Sequence, residues 1–125
     1  MPTPIPSDAL PKLQELATWV SQSAEMKESK PELLECVDND RKKMARPLLE
    51  KLGYADIQHN ALLLRICGKA SITKPKDDPR RLLFFPLSGE DVNVDGEILT
   101  SGTYIQLTKT LDLDARLDCL IVVLP

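Results

Sequence analysis

The sequence predicts an α+β fold, with N-terminal helices packed on a mainly antiparallel sheet built from residues 61–124. Three observations predict it. Up to Gly53 the apolar residues recur at helical 3-4 spacing. Beyond Gly53 they form short continuous or alternating runs, as strands do. Between two of those runs lies Asp95-Gly96, a pair suited to the tight turn of a hairpin. A length of 125 residues with 42% hydrophobic and 28% charged content fits a single domain spanning 1–125.

Pro2, Pro4 and Pro6 alternate with Thr3 and Ile5, which predicts an extended tail over residues 1–6. A frayed terminus is the simple expectation, and a strap for an aromatic groove is the alternative. A first helix is expected over about 8–27. Ser7 or Asp8 can cap it, and Pro11 falls in the first turn, where a missing N–H costs little. Leu10, Leu13, Ala17, Val20 and Ala24 make its stripe, with Leu16 beside them and Trp19 flanking the core.

Ser29-Lys30-Pro31-Glu32 has the form of a capping box and predicts a short helix over 31–37, with Leu33, Leu34 and Val37 as its apolar face. Asp38-Asn39-Asp40 can end that helix or cap the next. A third helix is expected over 40–52, buried through Met44, Ala45, Leu48, Leu49 and Leu52 and stopped by Gly53. Pro47 inside it predicts a kink or break near residues 43–47.

The strand-forming half opens with Ala61–Cys67. Residues 69–81 read as an exposed loop rich in charge and proline. Leu82–Phe85 is the next strand. Val92 and Val94 pair through the Asp95-Gly96 turn with residues 97–99, and Ser101-Gly102 turns the chain into Thr103–Leu107. Leu111–Leu117 fits a loop or one helical turn. Cys119–Leu124 is apolar on both faces and belongs in the interior of the sheet.

Charge narrows the function. Sixteen basic and 19 acidic side chains give a net charge of -3. Residues 83–125 carry Lys109 and Arg116 against seven acids, and this acidic third suits a basic partner and repels nucleic acid and anionic lipid. Arg41, Lys42, Lys43 and Arg46 form a basic patch on the third helix. A nucleic-acid-binding helix can look like this, but Asp38, Asp40 and Glu50 lie close enough to make it an ordinary solvated face.

Asp91, Asn93 and Asp95, with Gly96 and Ile98, match the first part of a calcium-binding EF-hand loop. Gly102 stands where the bidentate glutamate is required, so a hairpin explains the same residues better. His59 is the sole histidine. Its pairing with Cys67 is the one cysteine–histidine arrangement worth testing, because Cys36 lies beside acids and Cys119 begins an apolar strand. The sequence contains no phosphate-binding glycine loop and no GxSxG motif. No catalytic, cofactor-binding or metal residue is assigned.

The expectation is a non-enzymatic protein–protein interaction or regulatory domain. A ligand- or metal-binding module using the 88–104 turns and a nucleic-acid-binding domain are the alternatives. The heptad-like spacing of the first helix is compatible with a homodimer. Three scattered cysteines and the lack of a signal peptide suggest the cytoplasm, and the longest apolar run is too short to span a membrane. Ending on Pro125 directly after an apolar strand leaves both a whole protein and a domain cut from a longer chain as expectations.

Overall fold

The structure is a computed structural model and describes residues 2–74, 77–94 and 96–125. Pro75 and Lys76 of the expected loop, and Asp95 of the expected turn and calcium-like motif, lie outside the described residues. In chain order the elements are β1 (Thr3–Pro4), α1 (Leu10–Gln22), β2 (Met26–Lys30), β3 (Leu33–Cys36), α2 (Arg41–Leu52), β4 (Asn60–Ile72), β5 (Arg81–Gly89), β6 (Val92–Val94), β7 (Glu97–Leu99), β8 (Thr103–Leu107) and β9 (Leu111–Leu124). Two helices therefore pack on a seven-stranded antiparallel sheet of order β1-β8-β5-β9-β4-β3-β2, and β6 pairs with β7 in a separate hairpin.

The sheet is organised by β4 and β9, which pair without interruption from Asn60↔Val123 to Ile72↔Leu111. Residues opposite each other share a face, so the period of two sorts the side chains. Leu63, Leu83, Phe85, Leu120, Val122 and Leu124 face the helices. There they meet Leu13, Leu16, Ala17 and Val20 of α1 and Ala45, Leu48 and Leu49 of α2. The other face carries Leu64, Ile66, Phe84, Leu117, Cys119 and Ile121, with Val92 and Leu99 of the β6–β7 hairpin packed into the same cluster. β9 thus contributes to two cores, which is why Cys119–Leu124 is apolar at every position. Trp19 flanks the helix-side core as a half-buried residue.

Several expectations change. The helix expected at 31–37 is the β2–β3 hairpin. The supposed capping-box glutamate, Glu32, sits in its turn at φ 63° and accepts the backbone N–H of Lys69 at 2.8 Å. Residues 26–36 therefore join the sheet, which begins well before residue 61. Its stabilising contact lies 37 residues away in sequence, and no local pattern announces it.

α1 is shorter than 8–27, because Ser23 and Ala24 turn on the carbonyl of Trp19 before β2 begins. Pro47 does not break α2, which is continuous. Its ring leaves the Lys43 carbonyl without an intrahelical donor, and Lys43 is exposed, so water can serve that oxygen. The tail is extended as expected but docked: Thr3 pairs with Tyr104, and Ile5 is buried with its N–H on the Gly102 carbonyl at 3.0 Å.

The loop expected at 69–81 begins later, because β4 continues to Ile72. Lys69 and Ser71 point to one side while Ala70 and Ile72 feed the second cluster. The Leu111–Leu117 stretch is strand, with Leu111, Leu113 and Leu117 buried and Asp112, Asp114 and Arg116 exposed on the opposite face.

Candidate functional site

The basic patch lines a cavity. Arg41, Lys42, Lys43 and Arg46 of α2 stand along the rim of a space of about 600 Å³, with His59 and Asn60 at the start of β4 on the other side. Ala45, Leu49, Ala61 and Leu63 line its apolar part. Local sequence explains the position of the cations. Ala45, Leu48 and Leu49 must face the sheet, so the helical period turns residues 42, 43 and 46 outward.

The electrostatics are one-sided. The first turn of α2 holds no acid and three cations, at the end where the helix dipole is already positive. That arrangement disfavours the isolated helix and concentrates positive potential at the cleft. The nearby acids offset part of this charge, since one pairs with Arg46 and another stands beside Arg41. Glu50 pairs with Arg46 at 2.9 Å. Asp38 accepts the backbone N–H groups of Asp40 at 2.9 Å and Glu25 at 3.0 Å, and these two bonds hold its carboxyl below the ordinary carboxylate range. Arg41 donates to the Asp38 carbonyl at 2.9 Å, which anchors its guanidinium beside the helix start. Among the described residues Lys42 and Lys43 form no ion pair.

His59 is set by its own turn. Its Nδ1 lies 2.9 Å from the Ile57 carbonyl, so that nitrogen carries the proton and donates, and Nε2 remains as the second polar atom of the ring. In the sequence Arg41, Lys42, Lys43 and Arg46 stand together and His59 stands apart from them. The fold brings them to one cavity because the connection after Gly53 returns the chain beside α2.

The other candidates do not converge. His59 and Cys67 are eight positions apart on an extended course, roughly 25 Å, so they make no nucleophile pair. Cys119 is fully buried, and burial pushes its thiol up strongly. Cys36 is also buried and its thiol is raised for the same reason. In the calcium-like segment Asn93 Oδ1 accepts the N–H of Gly96 at 3.0 Å, which is a turn-closing role. Among the described residues no group of three or more His, Cys, Asp or Glu is placed to hold a metal ion, and no helix is long and apolar enough to cross a membrane.

The acids of β9 are distributed along β4. Asp118 bonds Arg65 at 2.7 Å, Asp112 accepts the Ser71 hydroxyl at 2.5 Å, and Asp114 stands opposite Lys69 in the ladder. Of these three carboxylates, Asp118 is neutralised by a cation of β4.

No protein-family model matches the chain, and neither the curated proteins nor the solved structures contain a match to it.

Proposed function

We propose that the protein is a non-enzymatic protein-binding domain whose binding surface is the α2–β4 cleft. The observation that carries this is the cavity itself: four cations from one helix and a histidine surround an apolar floor. Such a site suits a segment bearing both carboxylates and aliphatic side chains. A duplex backbone would instead be met by a broad basic surface with little apolar content. Asp118 of β9 is already paired with Arg65 of β4, which favours the cleft over that part of the acidic third as the binding surface.

Fluorescence polarisation with acidic, neutral and basic peptides of matched length tests this, with labelled single- and double-stranded DNA and RNA in parallel. Acidic peptides are expected to bind, and the exposed pair K42E/K43E is expected to abolish that binding while leaving the fold intact. Binding of nucleic acid alone, lost in the same variant, would replace the proposal with the nucleic-acid reading.

A further inference from the structure

We infer that the cleft captures its partner as an added β-strand: an extended segment of alternating acidic and aliphatic residues that pairs with β4 at residues 60–62. This rests on the cleft being the binding surface and specifies how it binds.

The sheet has a notch at this place. β9 accompanies β4 along its full length, but β3 pairs with it only from Leu64 to Ile66. Beyond Cys36 the chain leaves for α2, with the Val37 N–H on the Glu25 carbonyl. The Glu35↔Leu64 pair places the Cys36 N–H on the Leu63 carbonyl, so residues 60–62 have a strand on one side and the cleft on the other.

The direction of the peptide groups follows from one hydrogen bond. The Cys67 N–H donates to the Glu32 carbonyl at 2.9 Å, on the β3 side. In an antiparallel ladder alternate residues point both backbone groups to the same neighbour. Arg65, Leu63 and Ala61 therefore share that side, and the N–H and C=O of Ala61 are directed into the notch. The outermost strands of the sheet are blunted, β1 by its two-residue length and proline, β2 by exposed Lys27, Glu28 and Lys30, while β8 beyond Tyr104 has no strand beside it on the β1 side among the described residues. The notch has neither protection.

The chemistry of the occupant follows from the pleat. A residue opposite Ala61 faces α2, where a carboxylate meets Arg41 and Lys42. A residue opposite Leu62 faces the other side, where Leu62 is 40% exposed and an aliphatic side chain would cover it. β4 already holds a strand of this composition at its far end: Leu111-Asp112-Leu113-Asp114 pairs with residues 69–72, Asp114 opposite Lys69. That segment is committed to β9, so a second copy cannot donate it without unfolding.

The test uses an alternating Leu/Asp peptide of about ten residues, long enough to form one added strand, against the full chain. Expected results are shifts of the Ala61 and Leu63 amide resonances, slowed hydrogen exchange at Ala61, and about tenfold weaker binding when one central peptide nitrogen is methylated. A61P should weaken binding similarly with the fold retained, since that N–H is not part of the β4–β9 ladder. The methylated peptide decides the matter independently if A61P fails to fold. Binding that is lost in K42E/K43E yet indifferent to methylation and without protection at Ala61 overturns strand addition and leaves the cleft reading standing. Failure of every acidic peptide to bind overturns both.

Discussion

Arg65 and Asp118 face each other across the β4–β9 ladder, with Nε 2.7 Å from Oδ1 and Nη2 3.5 Å from Oδ2. Asp118 is only 6% exposed. The same guanidinium donates to the Val20 carbonyl in the last turn of α1 at 2.8 Å. One side chain therefore neutralises a buried carboxylate and serves a helix carbonyl that lacks an intrahelical partner. Ser88 Oγ lies 3.5 Å from the second carboxylate oxygen, which links β5 to the same group.

Breaking this pair from one side should be costly. Arg65→Ala leaves the Asp118 carboxylate buried and poorly served, a loss of about 3–5 kcal/mol in urea unfolding. The double variant R65M/D118L removes both charges while keeping apolar bulk, and should be more stable than R65A alone. Equal stability of the two would show that the lost Val20 contact, and not the stranded carboxylate, dominates.

Glycine positions give a second, purely steric prediction. Gly89 has φ 111°, and a Cβ there would stand 2.5 Å from the Arg116 carbonyl oxygen and 2.7 Å from Leu117 Cα. Both are backbone atoms of the central strand and cannot swing aside. Gly89→Ala should cost more than about 2 kcal/mol by denaturant midpoint. Gly53, with φ 86° and open space around it, ends α2 through the Tyr54 N–H on the Leu49 carbonyl. Gly53→Ala meets only the left-handed backbone penalty of about 1–2 kcal/mol. A cost at residue 53 equal to that at 89 would refute the steric account.

The contrast between legible and hidden features has a physical origin. α2 could be read because Met44, Ala45, Leu48 and Leu49 repeat at helical spacing and Gly53 is a local stop. Leu111–Leu117 is strand where the sequence reading allows a loop or one helical turn, although Leu111, Leu113 and Leu117 alternate with charges. The β2–β3 hairpin carried almost no signal. Met26-Lys27-Glu28-Ser29-Lys30 is a polar edge strand, and its pairing is fixed by distant partners such as Lys69. The cations of the site were visible in sequence. The cavity was not, because it depends on where β3 stops beside β4.

The thiols should separate by access. Cys67 is half-buried, while Cys36 is 4% exposed and Cys119 fully buried. Burial also raises the Cys36 and Cys119 thiols, which keeps them protonated and unreactive at neutral pH. Iodoacetamide followed by mass spectrometry should modify Cys67 first, and Cys119 only when the protein unfolds. Early labelling of Cys119 would contradict the position of β9 between β4 and β5.

Acid should loosen the cleft through Asp38. The N–H groups of Asp40 and Glu25 favour its charged form, so its folded pKa lies below the ordinary 3.8. The group therefore favours the folded state above the unfolded carboxylate value, and that contribution disappears as pH falls through the depressed folded value. Protonation weakens two acceptor bonds that tie the start of β2 to the start of α2, where Arg41, Lys42 and Lys43 stand. Hydrogen exchange at the Glu25 and Asp40 amides should accelerate relative to its intrinsic rate as the pH falls through the depressed folded value. Asp38→Ala should show the faster relative exchange already at neutral pH and lose the acid dependence. An unchanged acid dependence in that variant would assign the effect to another carboxylate.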